Sequence, residues 1–147
     1  MAFLRVSTLL LFVGMGCTNR TGGEQGNSVK FEQYFNQGEQ LYAANCSNCH
    51  QKSGTGLGLV YPPLNQSDFM DRHFGQVICL MRHGRKGELV VNGKMYNQAM
   101  PATTLSDLEI AEIATYIYNS WGRTQGIVEV NAVSAQLQRC DSIATIP

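Results

Sequence analysis

Five consecutive residues, Cys46-Ser47-Asn48-Cys49-His50, carry the side chains in this sequence that are best suited to chemistry. Two cysteines separated by two residues and followed at once by a histidine form the C-x-x-C-H pattern by which c-type haem is attached. The spacing brings both sulfurs within reach of the two haem vinyl groups, and the adjacent imidazole then faces the iron. The pattern therefore predicts one covalent haem c, tethered at Cys46 and Cys49, with His50 as an axial iron ligand.

Three other kinds of site fit the cysteine pair alone. Cys79 and His83 have C-x-x-x-H spacing, which places both on one face of a helix. Together with the pair they could complete a four-ligand zinc site, but His50 would then be unused. A redox dithiol favours a strand-to-helix turn, whereas this pair follows a predicted helix and precedes a glycine-rich loop. A purely structural disulfide would make the adjoining histidine a coincidence.

Met100 is the residue best placed to hold the iron from its other face. It lies in a loop and is followed by a proline, which stiffens the segment that would carry a ligand. The other methionines beyond the N-terminal segment fall on predicted helices or in a predicted hairpin. His/Met ligation closes the iron and raises the reduction potential of a haem. The sequence therefore predicts Met100 as the second ligand, with His73 and His83 as the competing candidates.

Two helices and a loop are predicted around the motif. Helical periodicity predicts an amphipathic helix from about Val29 to Asn45, with Gly38 on its apolar face for close approach by another helix. Residues 51–66 are rich in Gly, Pro, Ser and Asn, so an ordered loop is expected there. Ser67 can cap a single helix that carries the apolar residues from Phe69 to Met81.

A hairpin and two further helices are predicted in the second half of the chain. Asn92-Gly93 between two short apolar runs is a strong hairpin signal. Ser106 and Glu109 form a capping box that begins the clearest helix, and Gly122 is expected to end it. A further short helix is predicted from Val130 to Cys140.

The chain from about Asn36 to Gly122 resembles a class I c-type cytochrome with His/Met ligation, because the motifs of that family occur in order. They are GEQLYAANCSNCH for the first helix and haem motif, GLVYPPL for the loop behind the histidine, VNGKMYNQAMP for the methionine loop and LSDLEIAEIATYIYNSWG for the last helix. The resemblance implies an all-α fold, a small helical domain around one covalently attached haem, with a minor β-hairpin near the methionine loop. It also implies that the backbone carbonyl of Pro62 accepts a hydrogen bond from Nδ1–H of His50, with the neighbouring Pro63 as the alternative. The first and last helices would cross at Gly38 and Tyr42.

The resemblance implies one-electron transfer in a respiratory or related redox chain. The protein would act as a membrane-anchored carrier or as a subunit of a larger redox complex. Its partners would be donor and acceptor redox proteins, with no small-molecule substrate at the iron. A peroxidase-like haem enzyme or ligand-binding protein is the alternative if Met100 is labile, and a zinc-binding interaction module is the third interpretation.

The N-terminal segment is typical of an export signal rather than of a folded element. Its apolar stretch from Val6 to Met15 follows Arg5 and is too short for a bilayer span, which needs about 20 residues. A cysteine directly after such a stretch predicts a signal peptide at residues 1–16 and lipidation of Cys17, although small residues at the same place also suit ordinary cleavage. The expected location is the periplasmic side or the cell envelope, with a membrane anchor at Cys17.

One domain is predicted beyond this segment. Residues 17–28 are polar and glycine-rich, which favours a flexible tether. Residues 29–147 would form a cytochrome c domain with a C-terminal extension from about residue 123.

Cys79 and Cys140 are a departure from the family, which does not generally carry them. Of the five cysteines in the chain, two are assigned to haem and Cys17 to lipid, so these two are left. In an oxidising compartment we expect them to form a disulfide that ties the C-terminal tail to the middle helix. Two independent buried thiols are the alternative.

Charge argues against one class of function. The chain has 11 basic and 11 acidic residues and a formal net charge of zero, whereas nucleic-acid binders normally present a basic surface. A loose basic cluster could steer an acidic partner protein, or it could be an ordinary solvated face. Its members are Arg72, Arg82, Arg85, Lys86 and Lys94.

Overall fold

The computed structural model describes residues 22–144, with side chains from residue 27 to residue 140. Within that range the chain forms helices and one two-stranded antiparallel sheet. In chain order the elements are α1 (Gly22–Asn45), α2 (Ser47–His50), α3 (Asp68–Arg72), α4 (Phe74–His83), β1 (Leu89–Val91), β2 (Lys94–Tyr96), α5 (Asp107–Ile117) and α6 (Val130–Ala144). The predicted small helical fold with a minor hairpin is confirmed. The signal peptide predicted at residues 1–16 and the lipidation predicted at Cys17 lie outside the described residues.

α1 and α5 cross at Gly38. A Cβ built on Gly38 would lie 2.6 Å from the carbonyl carbon of Glu112 and 2.9 Å from Cβ of Tyr116. Only glycine allows two helix backbones to approach this closely. Tyr42, one turn further along α1, packs against Tyr116 with 5.3 Å between ring centroids. The helix crossing expected at Gly38 and Tyr42 is therefore observed.

The N-terminal boundary of α1 differs from the prediction. The helix begins at Gly22 rather than at about Val29, so residues 22–28 of the predicted tether are helical in the structure. Glycine lowers helix stability by about 1 kcal/mol relative to alanine. Extending a helix that is already nucleated is nevertheless inexpensive, because each added residue gains one backbone hydrogen bond. Residues 17–21 of the predicted tether lie outside the described part of the chain.

Two helices, α3 and α4, replace the single helix predicted after Ser67. Ser67 caps α3 by accepting a hydrogen bond from the amide of Met70 at 3.3 Å. The backbone leaves helical geometry at His73, where φ is −129° and ψ is 43°. In an unbroken helix the carbonyl of Met70 would accept from the amide of Phe74. It accepts instead from the phenol hydroxyl of Tyr118 at 3.1 Å, so a tertiary hydrogen bond replaces a local one and the prediction of one continuous helix was wrong.

The hairpin turns at Asn92 and Gly93, as predicted. Both residues have positive φ angles, 51° and 70°, which a two-residue type I′ turn requires. The register places Val90 opposite Met95. Asp68 in α3 fixes the turn, because its carboxylate accepts a hydrogen bond from the amide of Asn92 at 2.7 Å. The hairpin is thus held against the helical part of the fold.

α5 lies at the centre of the core and ends earlier than predicted. The capping box expected at Ser106 is present. The helix ends at Ile117 rather than at Gly122. The side-chain amide of Asn119 donates to the carbonyl of Thr115 at 2.7 Å, and such side-chain bonds compete with continued helical bonding.

α6 covers α4 and α5 with an apolar stripe. Val133, Leu137 and Cys140 are buried at helical spacing on the face that meets these helices. Cys140 forms a disulfide with Cys79 of α4. Among residues 22–144, no helix combines the length and the apolar character that crossing a membrane requires.

Candidate functional site

The cysteine–histidine motif lies where α1 passes into α2. Cys46 precedes α2, and its carbonyl accepts hydrogen bonds from the amides of Cys49 at 3.2 Å and His50 at 2.9 Å. This turn leaves both thiols and the imidazole bordering one cavity. Both cysteines are free and half-buried. Burial is the main cause that raises the pKa of the Cys46 thiol to about 11, so that thiol is neutral at physiological pH.

His50 is oriented by the loop that follows it. Its Nδ1 lies 3.0 Å from the carbonyl oxygen of Pro62. Since a carbonyl can only accept, Nδ1 carries the hydrogen and Nε2 keeps its lone pair for a metal. Burial lowers the pKa of His50, partly offset by the bond to Pro62, so the neutral ligating form is favoured. The contact that the family resemblance implied between these two residues is present in the structure.

Gly56 allows the carbonyl of Pro62 to reach the imidazole. It has a positive φ of 66°, and a Cβ there would lie 2.7 Å from the carbonyl carbon of Pro62. Its amide also donates to the carbonyl of His50 at 3.0 Å. Sequence reasoning named Pro62 but not Gly56. The signal available was the glycine-rich composition of the loop, since glycine is the residue that adopts positive φ without strain.

Aromatic residues hold the other end of this loop. The hydroxyl of Tyr42 donates to the carbonyl of Gln51 at 2.7 Å. Trp121 lies over Gly54, where a Cβ would come within 2.7 Å of the indole ring. The ring of Trp121 also contacts that of Tyr42 at 5.7 Å between centroids. The α1–α5 crossing therefore supports the loop that orients the histidine.

Met100 is fixed to the C-terminal end of α4. Its amide and carbonyl exchange hydrogen bonds with Arg85 at 2.9 Å and 2.8 Å. Gly84, with a φ of 67°, makes room for this pairing, because a Cβ there would lie 2.6 Å from the carbonyl carbon of Pro101. The hydroxyl of Thr103 donates to the carbonyl of Met81 at 2.7 Å. Sequence reasoning identified Met100 but not the glycine that admits its segment.

Three adjoining cavities share His50 and Met100 on their walls. The first has an empty volume of about 610 Å³, and its walls are mainly apolar side chains of α3, α4, the hairpin and α5. The second cavity adjoins Cys49 and Tyr61, and the third adjoins Cys46 and Cys49. Among the described residues, neither a carboxylate nor a second histidine lines these three cavities.

The donor set fits a covalently attached haem. One free imidazole nitrogen and two free thiols border a cleft that is otherwise mainly apolar, together with the thioethers of Met70, Met81 and Met100. Imidazole and thioether are the ligands that suit low-spin haem iron, and thiols in the C-x-x-C-H pattern are its attachment points. Met81 also borders two of the cavities, whereas Met100 borders all three.

The competing ligands lie elsewhere. His73 packs on Phe69 with 4.8 Å between ring centroids, and it borders none of the three cavities. His83 borders a separate groove beside the disulfide. Cys79 is bonded to Cys140 and so cannot serve zinc. Within the described residues, no group of three or more His, Cys, Asp or Glu side chains is arranged to hold a metal ion.

Comparison with known proteins places these residues in a family context. Residues 33–117 match the family described as cytochrome c oxidase, cbb3-type, subunit III. The chain is also 32% identical over 90 residues to two proteins from Thermus thermophilus that are both named cytochrome c-552. The matched segment covers 58% of this chain, and 68% and 60% of the two relatives.

Proposed function

Since the chain belongs to the monohaem c-type cytochromes, which carry one covalent haem and transfer electrons, we propose that its haem is tethered by Cys46 and Cys49. His50 and Met100 would ligate the iron from opposite faces. The protein acts as an electron carrier rather than as a classical enzyme. One observation carries this assignment of ligands: among the described residues, only these two border all three cavities, which they share with the free thiols of the motif.

The residues of the site have separate tasks. When bound, haem supplies a one-electron couple between ferrous and ferric iron. Pro62 fixes the imidazole of His50 through its carbonyl, so the ligating nitrogen does not need to reorient. The pairing of Arg85 with Met100 holds the thioether side in the same way. The mainly apolar walls of the first cavity exclude water, and the described residues add no carboxylate or further imidazole there, which favours electron transfer over catalysis at the iron.

A spectroscopic experiment tests the ligand assignment. The protein is expressed with haem-maturation machinery, and the Met100→Ala and Met81→Leu variants are compared in the oxidised state. We expect the weak near-infrared methionine–iron band to disappear in Met100→Ala and to remain in Met81→Leu, which removes the other methionine shared by two of the cavities. Loss of the band in Met81→Leu alone would assign the ligand to Met81 instead.

A second candidate function, a peroxidase-like or ligand-binding haem protein, requires that Met100 leave the iron readily. The reduced wild-type protein is therefore exposed to carbon monoxide. Ready binding would support this candidate, and resistance to binding would support the carrier.

The mouth of the second cavity is the place where we propose partner proteins dock. Leu57, Leu59 and Val60 are exposed on the loop that leads to Tyr61, which lines this cavity. Val90 and Met95 are exposed on the hairpin, whose Leu89 and Tyr96 also line it. Exposed apolar side chains that lie together on a surface are typical of interaction sites.

The basic cluster contributes less to this surface than its number of residues suggests. Arg72 and Arg82 pair with aspartates of the same molecule. Lys86 and Lys94 are exposed and would steer an acidic rim of the partner. We expect Leu59→Ser to slow electron transfer to a candidate partner enzyme, whereas Val29→Ser, at a similarly exposed apolar site on α1, should not.

Export and anchoring complete the proposal. Residues 1–16 would be removed as a signal peptide, and Cys17 would carry the lipid. Residues 17–28 would link the anchor to a domain spanning residues 29–147. Replacing Cys17 by serine should release the protein from the membrane fraction, whereas ordinary cleavage predicts no change. Size-exclusion chromatography of a mild detergent extract then separates a free carrier from a subunit of a larger redox complex.

A further inference from the structure

α6 is attached to α4 at two neighbouring points. Cys140 is bonded to Cys79, 61 residues earlier in the chain. Gly75 leaves room for Gln136, because a Cβ at Gly75 would lie 2.9 Å from the side-chain amide of Gln136. That amide lies 3.6 Å from the sulfur of Cys79. The C-terminal extension is therefore packed tightly on the helix that forms one wall of the haem cavity.

Asp107 adds a third connection, at the C-terminal end of α4. One oxygen of its carboxylate accepts from the hydroxyl of Ser134 in α6 at 2.6 Å. The other accepts from the guanidinium of Arg82 in α4, also at 2.6 Å. The hydrogen bond from Ser134 is the main cause that holds the pKa of Asp107 below its ordinary value, and Arg82 lowers it further. One carboxylate thus joins α4, α5 and α6.

The same end of α4 holds the methionine segment. The carbonyl of Arg82 accepts a hydrogen bond from the amide of Thr103 at 3.1 Å. The carbonyl of Met81 accepts one from the hydroxyl of Thr103 at 2.7 Å. Arg85 pairs with Met100 through two backbone hydrogen bonds. Whatever fixes the last turn of α4 therefore fixes the position of Met100.

We propose that α6 is a brace for the methionine side of the haem site and that Asp107 is the positioning residue through which it acts. Ser134 and the disulfide hold α6 in place, Asp107 transmits that position to Arg82, and Arg82 sets the segment from Met100 to Thr103. This inference rests on the proposed ligation of the iron by Met100. It goes beyond a general gain in stability, because it places the effect at one ligand.

Imidazole binding to the oxidised, haem-containing protein tests the brace, since imidazole can reach the iron only after Met100 has left. The variants are Asp107→Asn, Ser134→Ala and the double replacement of Cys79 and Cys140 by serine. We expect each to bind imidazole about tenfold faster than the wild type, corresponding to about 1.4 kcal/mol of lost local stability. Ser134→Thr keeps the hydroxyl and should bind at the wild-type rate.

Phe35→Leu is the control for a purely global effect. Phe35 packs on Tyr116 at the α1–α5 crossing, with 5.2 Å between ring centroids, and lies on no element of the brace. It should lower the midpoint of urea unfolding without accelerating imidazole binding. If the brace variants accelerate binding no more than Phe35→Leu does at equal loss of global stability, the brace is overturned.

Amide hydrogen exchange supplies a readout that does not depend on iron ligation. The amides of Met100 and Thr103 should exchange about tenfold faster in Asp107→Asn, through the same loss of local stability. The amide of Cys46, which donates to the carbonyl of Tyr42 in α1, should keep its wild-type rate. A wild-type protein that lacks the near-infrared band would refute the Met100 ligation, yet the exchange rates would still decide whether α6 positions this segment. Unchanged exchange at Met100 and Thr103 overturns the brace.

Discussion

Replacing Gly38 by alanine gives the clearest test of the helix crossing, because two physical effects predict opposite signs. Alanine in a helix is favoured over glycine by about 1 kcal/mol. At this position, however, the new methyl group would lie 2.6 Å from the carbonyl carbon of Glu112 and closer still to its oxygen. The two helices would have to separate.

The expected magnitude follows from the nature of the obstacle. Overpacking a well-packed site typically costs about 1–3 kcal/mol. The upper end applies here, because the methyl group meets the backbone of α5 and not the end of a flexible side chain. Subtracting the helix-propensity gain leaves a net loss of about 2 kcal/mol. For a chain of this size that corresponds to a fall in Tm of about 6 °C.

Urea unfolding of the haem-containing protein, followed by circular dichroism, measures this loss. Gly75→Ala is the matched control, because a Cβ there would lie 2.9 Å from the end of the Gln136 side chain, which can shift, and not against a helix backbone. The control should change the free energy of unfolding by less than about 1 kcal/mol, since the propensity gain offsets a small displacement. A Gly38→Ala variant that is as stable as the wild type, or more stable, would refute the crossing geometry.

Three further predictions concern caps and loops. Gly84→Ala should abolish the near-infrared band and lower the free energy of unfolding by about 2 kcal/mol. Gly87 also has a positive φ but has open space around it, so Gly87→Ala should keep the band and lower the free energy of unfolding by about 1 kcal/mol. Ser106→Ala should lower the free energy of unfolding by about 1 kcal/mol in denaturant titrations, and Ser106→Asp should restore most of it. The amide and hydroxyl of Ser106 lower the pKa of Glu109, and hydrogen bonding lowers that of Asp107. The stability that these two carboxylates contribute should therefore be complete above their ordinary pKa values of 4.5 and 3.8. It should be lost as pH falls through the depressed values. The stability of Asp107→Asn should change less with pH over that range.

The elements that sequence reasoning identified are those set by local chemistry. Asn92 and Gly93 adopt the positive φ angles that their residue types favour. Ser106 and Glu109 bond to each other within one turn. The C-x-x-C-H spacing determines the relative positions of its three functional residues, because they lie within about one turn of helix. No partner distant in the chain is needed to define any of these.

The elements that were missed depend on groups far apart in the chain. At the break at His73, the carbonyl of Met70 accepts a hydrogen bond from the hydroxyl of Tyr118, 48 residues away. Gly56 and Gly84 look like ordinary loop glycines until the opposing backbones of Pro62 and Pro101 are in place. Periodicity and composition do not encode such meetings, so the sequence pointed to the candidate ligands and, through the family resemblance, to Pro62, but not to the glycines that admit their segments.

The buried state of the Cys46 thiol has a consequence for the order of assembly. Thiolates and not thiols react, and burial raises the pKa of Cys46 to about 11. Covalent attachment at Cys46, as proposed above, would therefore be easiest before the domain closes, when the motif is an exposed segment of the chain. At that stage Cys46, Cys49, Cys79 and Cys140 could pair in more than one way in an oxidising compartment. With haem bound to the first two, as proposed, a single intramolecular pairing is left among the four. On that proposal the cofactor would protect Cys46 and Cys49 during biogenesis and leave Cys79 and Cys140 to form the disulfide that the structure shows.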